Sequence, residues 1–297
     1  MQTHHWHIRI GHAVIHIDSN VPACIPILDA MLRLYKIAEP TQIASVHFKL
    51  EQQQSLITLI ANQKMLWQGY SPEETVAGFE VHFYSYVLAA IEPQLISIHA
   101  ATIAIDKQAI MLAGISGAGK SSTCTAALLA GADYLSDEFA LLDKTGAISP
   151  FPRPLQWGKQ RHPAFLHADL IKQHFKKFSF RFPDFEQQQR YTLFWFPPRI
   201  CQHVTPLKAI IFPSYDKNAP QTLISPMLRS QALMELTQHL HHQYSPTKCI
   251  QELNQRIPND IPFLQVRFPD VCQAWQDIRQ ALKNYSRLTL LNHSAHQ

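Results

Sequence analysis

The feature that most constrains this chain is the glycine-rich stretch at residues 114–121, with the sequence GISGAGKS. It matches the G-x-x-x-x-G-K-[ST] pattern of a phosphate-binding loop (P-loop, Walker A) at every fixed position. In such a loop several backbone N–H groups converge on an anion, and glycine keeps a Cβ atom from blocking the approach. Four of the nine glycines lie between Gly114 and Gly131, which concentrates backbone freedom here. We expect this loop to bind phosphate; the alternative is a glycine-rich turn that binds nothing.

The residues around the loop predict a strand before it and a helix after it. Residues 109–113 form a short apolar run typical of a buried strand, and residues 122–130 favour a helix that ends at Gly131. Lys120 is expected to neutralise the β- and γ-phosphates, and Ser121 to offer its hydroxyl to Mg²⁺. The predicted nucleotide-binding residues are Gly114, Ser116, Gly117, Ala118, Gly119, Lys120, Ser121 and Ser122.

Two adjacent acids, Asp137 and Glu138, follow the predicted loop helix within an apolar stretch at residues 134–142. We interpret this stretch as one buried strand that carries both carboxylates. Only the sixteen residues 121–136 separate Lys120 from Asp137, a shorter gap than in transporter-type and many motor ATPases. A carboxylate there could hold Mg²⁺ or take a proton from an incoming hydroxyl. The alternative is a structural salt bridge, which is disfavoured because acids in an apolar strand are costly unless solvated or paired with a cation.

Three segments together resemble a known family. His99-Ala100-Ala101, the loop at 114–122 and Leu135-Ser136-Asp137-Glu138 are similar to the catalytic domain of bacterial HPr kinase/phosphorylase, and more closely to the smaller HPr kinase-related proteins. The resemblance implies a P-loop kinase related in fold to phosphoenolpyruvate carboxykinase, with ATP and Mg²⁺ as the donor pair and a serine-type hydroxyl as the acceptor. It also implies that Asp137 accepts the acceptor proton, that Glu138 assists the metal or the base, and that His99 lies near the phosphates.

The chain departs from that family downstream of the acids. No segment of the sequence resembles the family's E-I-R-G motif, which contributes a magnesium-binding glutamate, and residues 151–155 occupy this region instead. Arg153 stands between two prolines and could direct a rigid guanidinium at phosphate or substrate, which makes it a candidate catalytic residue. The alternative is a surface arginine in a turn. Recognition of the HPr carrier protein and phosphorolysis are therefore not implied.

Periodicity divides the chain into two predicted parts. Residues 1–94 combine alternating strand patterns with a helix that begins at a capping box, which is typical of a smaller α+β region. Residues 95–290 alternate strands and helices around the loop, which predicts an α/β domain. The family resemblance implies that it is a catalytic domain of the HPr kinase/phosphoenolpyruvate carboxykinase type. Between 150 and 200 the periodicity is weak, and this stretch is either a lid or substrate-binding surface or a decorative insertion.

Composition argues against several partners and compartments. A net charge of +4 over 297 residues indicates no polyanion, so we expect no nucleic acid. Five scattered cysteines without a C-x-x-C pair predict a reducing cytoplasm, and no apolar run is long enough for a transmembrane segment. Histidine clusters at 4–7 and 239–242 lack cysteine or carboxylate company, and we interpret them as solvated. The family resemblance also implies a tendency to form homo-oligomers.

These patterns together predict an ATP-dependent kinase that transfers the γ-phosphoryl group to a hydroxyl of a protein, peptide or small molecule. Three alternatives remain open. A non-catalytic ATP sensor would bind nucleotide without transfer, and a phosphatase or phosphorylase would dephosphorylate a phosphoserine. A peptide-modifying kinase of a biosynthetic cluster would share the chemistry but differ in its acceptor.

Overall fold

The computed structural model describes residues 2–155, 168–183, 189–241 and 245–294. Within these ranges the chain forms seven helices and three sheets, so the predicted α/β class is confirmed. Part of the predicted irregular segment, residues 156–167, lies outside the described residues, as does His242. Among the helices that are described, none combines the length and the apolar character needed to span a membrane.

The elements are numbered in chain order. The strands are β1 His4–Ile10, β2 Ala13–Ser19, β3 Lys36–Ile37, β4 Val46–Gln53, β5 Leu56–Ala61, β6 Lys64–Gly69, β7 Ile96–Ile105, β8 Gln108–Ala113, β9 Asp133–Ser136, β10 Phe139–Leu142, β11 Ala147–Ser149, β12 Lys176–Pro183, β13 Gln189–Phe196, β14 Thr205–Tyr215, β15 Leu223–Pro226 and β16 Phe263–Phe268. The helices are α1 Ile25–Leu32, α2 Pro72–Ile91, α3 Lys120–Leu129, α4 Ala168–His174, α5 Arg229–Thr237, α6 Pro246–Arg256 and α7 Val271–Ser294.

Backbone proximity divides the protein into two units. The first contains the described residues of 2–95, 151–155, 175–183 and 189–196, and the second contains the remainder. The sequence predicts a single boundary, between residues 94 and 95, and contains no pattern that connects the later segments with the N-terminal part. The reason is that these segments join the first unit through long-range contacts, which periodicity cannot detect.

The first unit is built on a six-stranded sheet in the order β3-β1-β2-β4-β5-β6. Its strands are antiparallel to their neighbours except β2 and β4, which are parallel. Residues of β4 alternate between buried and partly exposed, so one face of the sheet is apolar and the other polar. Phe79 and Phe83 of α2 pack against Phe48 of β4 with ring centroids 5.2 and 6.0 Å apart, and these contacts hold the helix on the apolar face.

The second unit contains an eight-stranded sheet. Seven of its strands follow the order β11-β10-β7-β8-β14-β16-β15, and the eighth, β9, pairs with β7. Strand β7 pairs with β8 along one edge and with β9 and β10, one after the other, along its other edge. All three pairings are antiparallel, whereas β8 and β14 are parallel, as are β14 and β16. Leu236 of α5 and Leu253 of α6 are buried in the core beside residues of this sheet, such as Met111.

One predicted helix is shorter than expected. The sequence indicated a helix from Ser225 to about His242, but residues 223–226 form strand β15, which pairs antiparallel with β16, and α5 begins only at Arg229. The reason is tertiary pairing: β16 offers an edge to these residues, and that edge overrides the local helix signal. The last helix begins at Val271 as predicted, with Trp275 and Ile278 buried.

The N-terminal cap of α2 supports a stability prediction. The Glu74 N–H donates to Ser71 Oγ at 3.2 Å, so Ser71→Ala leaves this donor without its acceptor and should lower the free energy of unfolding by about 1 kcal/mol. Ser85→Ala, at an exposed position of the same helix, is the matched control and should change it by less than about 0.5 kcal/mol. Urea denaturation followed by circular dichroism measures both. Equal losses in the two variants would contradict the capping role.

Candidate phosphate-binding site

The glycine-rich loop joins the C-terminal end of β8 to the N-terminal end of α3, so the predicted order of strand, loop and helix is confirmed. Gly114, Gly117 and Gly119 have φ angles of 144°, 83° and 104°, which L-residues rarely adopt. A Cβ atom on Gly119 would also lie 3.0 Å from Cζ of Phe268. Backbone conformation and close packing both therefore require glycine at position 119.

The first turn of α3 is suited to an anion. Its N-cap is Gly119, and no side chain among the described residues caps it. The N–H groups at the start of a helix have no partner within the helix, and the helix dipole places partial positive charge beside them. The loop therefore presents backbone donors at the place where the sequence predicts phosphate.

Lys120 is the first residue of α3 and is only 7 % exposed. Its Nζ donates to the carbonyl oxygens of Gly114 at 2.6 Å and Ile115 at 3.1 Å. Burial lowers the pKa of Lys120, while the carboxylates of Glu138 and Asp137 act in the opposite direction. The ammonium group therefore lies in the field of both predicted acids and is held by two loop carbonyls that phosphate oxygens could replace.

The two acids lie between β9 and β10 rather than within one strand, so the prediction of a continuous strand was wrong. The pairing register between β7 and β9 shifts just before the acids. Ile103 pairs with Tyr134, but Thr102 pairs with Ser136. Beyond the shift, Ser136 Oγ accepts hydrogen bonds from the N–H groups of residues 138 and 139 at 3.4 and 3.0 Å. This bulge and turn leave both acids outside the pairing of β7 with β9 and β10.

The structure brings His99 into contact with one of the acids. His99 lies on β7 directly opposite Phe139, and its Nδ1 is 2.9 Å from Oε1 of Glu138. Both side chains are about one-third exposed, at 31 % and 35 %, whereas Asp137 is only 7 % exposed. The two acids therefore differ: one is largely buried, and the other is accessible and oriented by a histidine.

Two histidines that sequence analysis interpreted as solvated belong to this neighbourhood. The His99 N–H donates to the His239 carbonyl at 2.6 Å, and the His241 N–H donates to the Ser97 carbonyl at 3.0 Å, so residues 239–241 run beside β7. His239 is buried, which contradicts the interpretation. The signal in the sequence was the alternation of two histidines around Leu240, which is typical of a paired extended segment.

The environment keeps both of these histidines neutral near pH 7. Burial lowers the pKa of His239; the carboxylate of Glu235 acts in the opposite direction, and the charges of Lys120 and His99 lower the pKa further. Burial and the neighbouring His99 lower the pKa of His241, whose ring centroid lies 5.9 Å from that of His99. His241 Nδ1 also lies 2.9 Å from Ser97 Oγ. Neutral imidazoles can accept or donate hydrogen bonds here without adding positive charge to the site.

Arg153 belongs to the first unit, and its side chain contacts residues of that unit. Its Nη2 lies 3.2 Å from Oε1 of Glu80, and its guanidinium carbon lies 5.1 Å from the ring centroid of Tyr84. With a side chain that is only 16 % exposed, it is not the surface arginine considered as the alternative. Its catalytic assignment stays a prediction.

The chemistry of Ser121, Asp137 and Glu138 suits Mg²⁺, which prefers oxygen ligands and completes its shell with water and phosphate oxygens. Among the described residues, no group of three or more His, Cys, Asp or Glu side chains is arranged to hold a metal ion. A magnesium ion here would therefore depend on the nucleotide for part of its coordination, as is usual for phosphoryl-transfer sites.

Comparison of the chain with protein-family models found no matching family, and comparison with curated proteins found no match. The function is therefore inferred from the chemistry of the site, since a fold alone does not determine a function.

Two glycines of the loop allow a matched test of its packing. Gly119→Ala should lower the free energy of unfolding by about 1–3 kcal/mol, because the new Cβ atom adds a contact with Phe268 to the backbone strain. Gly117→Ala introduces similar strain but meets no atom within 4 Å, so its loss should be smaller. Thermal unfolding of both variants measures the difference. If Gly117→Ala were the more damaging substitution, the close packing at Gly119 would not be the constraint.

Proposed function

We propose that the protein is a P-loop phosphotransferase of the HPr kinase-like type, which transfers the γ-phosphoryl group of ATP to a hydroxyl-bearing acceptor. The single observation that carries this proposal is the buried ammonium of Lys120, which lies between the loop carbonyls and the field of Asp137 and Glu138. Scattered cysteines without a disulfide among the described residues favour the cytoplasm as its compartment.

Nucleotide binding uses the loop and the start of α3. The N–H groups of the loop and of the first helical turn bind the β- and γ-phosphates, and the helix dipole adds to the attraction. Lys120 exchanges its hydrogen bonds to Gly114 and Ile115 for bonds to phosphate oxygens. Because the ammonium is buried, its charge is weakly screened and stabilises the charge that develops during transfer.

The two acids provide a ligand for the metal and the base for the acceptor. Ser121 and one carboxylate would hold Mg²⁺, which neutralises charge on the phosphate oxygens when it is bound. Asp137 accepts the proton of the acceptor hydroxyl as the oxygen attacks the γ-phosphorus. His99 keeps Glu138 in one orientation, and Glu138 either helps to bind the metal or positions the acceptor. Positioning and charge stabilisation account for most of the rate.

Lys120→Ala should abolish phosphoryl transfer, with a loss of more than about 100-fold, because the variant lacks the cation that stabilises the phosphates. The measurement is incubation of the protein with γ-labelled ATP and a lysate of the source organism, followed by separation of labelled species. Lys144→Ala, at an exposed turn between β10 and β11, is the control and should label as the unmodified protein does. A labelled species that persists with Lys120→Ala would overturn the proposed role of the loop.

Asp137→Asn should bind ATP with an affinity close to that of the unmodified protein but transfer phosphate about 10²–10⁴-fold more slowly. Isothermal titration calorimetry measures the first quantity and the labelling assay the second. Asp106→Asn, in the turn between β7 and β8 where asparagine tolerates the positive φ, is the matched control. Transfer at the unmodified rate by Asp137→Asn would show that another group is the base. Binding without transfer by the unmodified protein would favour the sensor.

A further inference from the structure

Three histidines form a row across the polar face of the sheet in the first unit. His7 of β1 is directly opposite His16 of β2, and His16 is directly opposite His47 of β4. Directly opposed side chains on neighbouring strands share one face of a sheet. The ring centroids of His7 and His16 lie 4.4 Å apart, and those of His16 and His47 lie 6.3 Å apart. The clusters identified in the sequence contain only histidines that lie close together in the chain, so this row was not predicted.

Two ring nitrogens in this row lack hydrogen bonds. Nδ1 of His7 and Nε2 of His16 are shielded from solvent and have no partner among the described residues. A shielded imidazole nitrogen without a hydrogen bond carries either an N–H or a lone pair, and the neutral tautomer with the lone pair at that position can ligate a metal.

A carboxylate lies next to the row. Asp18 is two residues from His16 on β2 and therefore on the same face. Its Oδ1 lies 2.7 Å from Nδ1 of His5, and its Oδ2 lies 2.6 Å from Nε2 of His47. It therefore holds the imidazoles of His5 and His47 and adds negative charge beside His16. Shielded lone pairs without hydrogen bonds are costly, and a cation would stabilise them.

We propose that His7 Nδ1 and His16 Nε2 chelate a divalent transition-metal ion on this face of the sheet. Imidazole suits Cu²⁺, Ni²⁺ and Zn²⁺, whereas Mg²⁺ prefers oxygen ligands, so this site takes a different class of metal from the phosphate-binding loop. No set of three such ligands is formed among the described residues, so water completes the coordination. The affinity should follow the order Cu²⁺ above Ni²⁺ and Zn²⁺.

The experiment titrates the full chain, stripped of metal with a chelator, with Cu²⁺ alone. Calorimetry should show one Cu²⁺ bound per chain more tightly than any other, and electron paramagnetic resonance should show nitrogen ligation of that ion. His7→Gln and His16→Gln should each weaken it about tenfold or more, because each removes one ligand. His12→Gln, an exposed histidine at the turn between β1 and β2, is the matched control and should bind as the unmodified chain does.

Circular dichroism establishes that each variant is folded before its titration is interpreted. The proposal is overturned if the tightest Cu²⁺ site persists in folded His7→Gln and His16→Gln, or if His12→Gln loses it equally. If a variant does not fold, the histidine ring signals of the unmodified chain in a proton–nitrogen correlation spectrum decide instead. Paramagnetic broadening of the His7 and His16 rings by one equivalent of Cu²⁺ supports the site, and unchanged signals of both rings overturn it.

Discussion

The candidate site depends on one constraint, the antiparallel pairing of β7 along both of its edges. Because β8 and the β9–β10 segment are each antiparallel to β7, they run in the same direction on either side of it. Ala113, the last residue of β8, is opposite Ala100, and Ser136, the last residue of β9, is opposite Thr102. The loop and the acids therefore emerge at the same level of the sheet. Side chains that follow the carboxyl ends of such strands are well placed to share a ligand.

The glycine-rich loop and its flanking elements were predictable because their signals are local. The loop glycines, Lys120 and the apolar run of β8 lie within a few residues of one another, and each requirement follows from backbone geometry. The start of α2 was predictable for the same reason, since Ser71 caps the helix through a residue three positions away. Such interactions need no knowledge of which segments meet in the folded chain.

What the sequence did not reveal depends on pairing between distant segments. Strand β15 exists because β16, about forty residues later, offers it an edge. The break at Asp137 and Glu138 requires the register shift against β7, which no local pattern specifies. His239 and His241 join the site through backbone hydrogen bonds to residues more than a hundred positions earlier. The sequence therefore predicted the residue types of the site but not the geometry that distinguishes the buried acid from the accessible one.

The assignment of late segments to the first unit has a consequence for how the protein can be dissected. Residues 151–155, 175–183 and 189–196 return to the N-terminal part, where the Leu155 and Trp195 backbones exchange hydrogen bonds and Arg153 pairs with Glu80. The polypeptide thus passes from one unit to the other several times, and the first unit is made of segments that are separate in sequence. Neither unit can be expressed whole by cutting the gene at a single codon, and a split pair of fragments would have to reassemble non-covalently before either unit was complete.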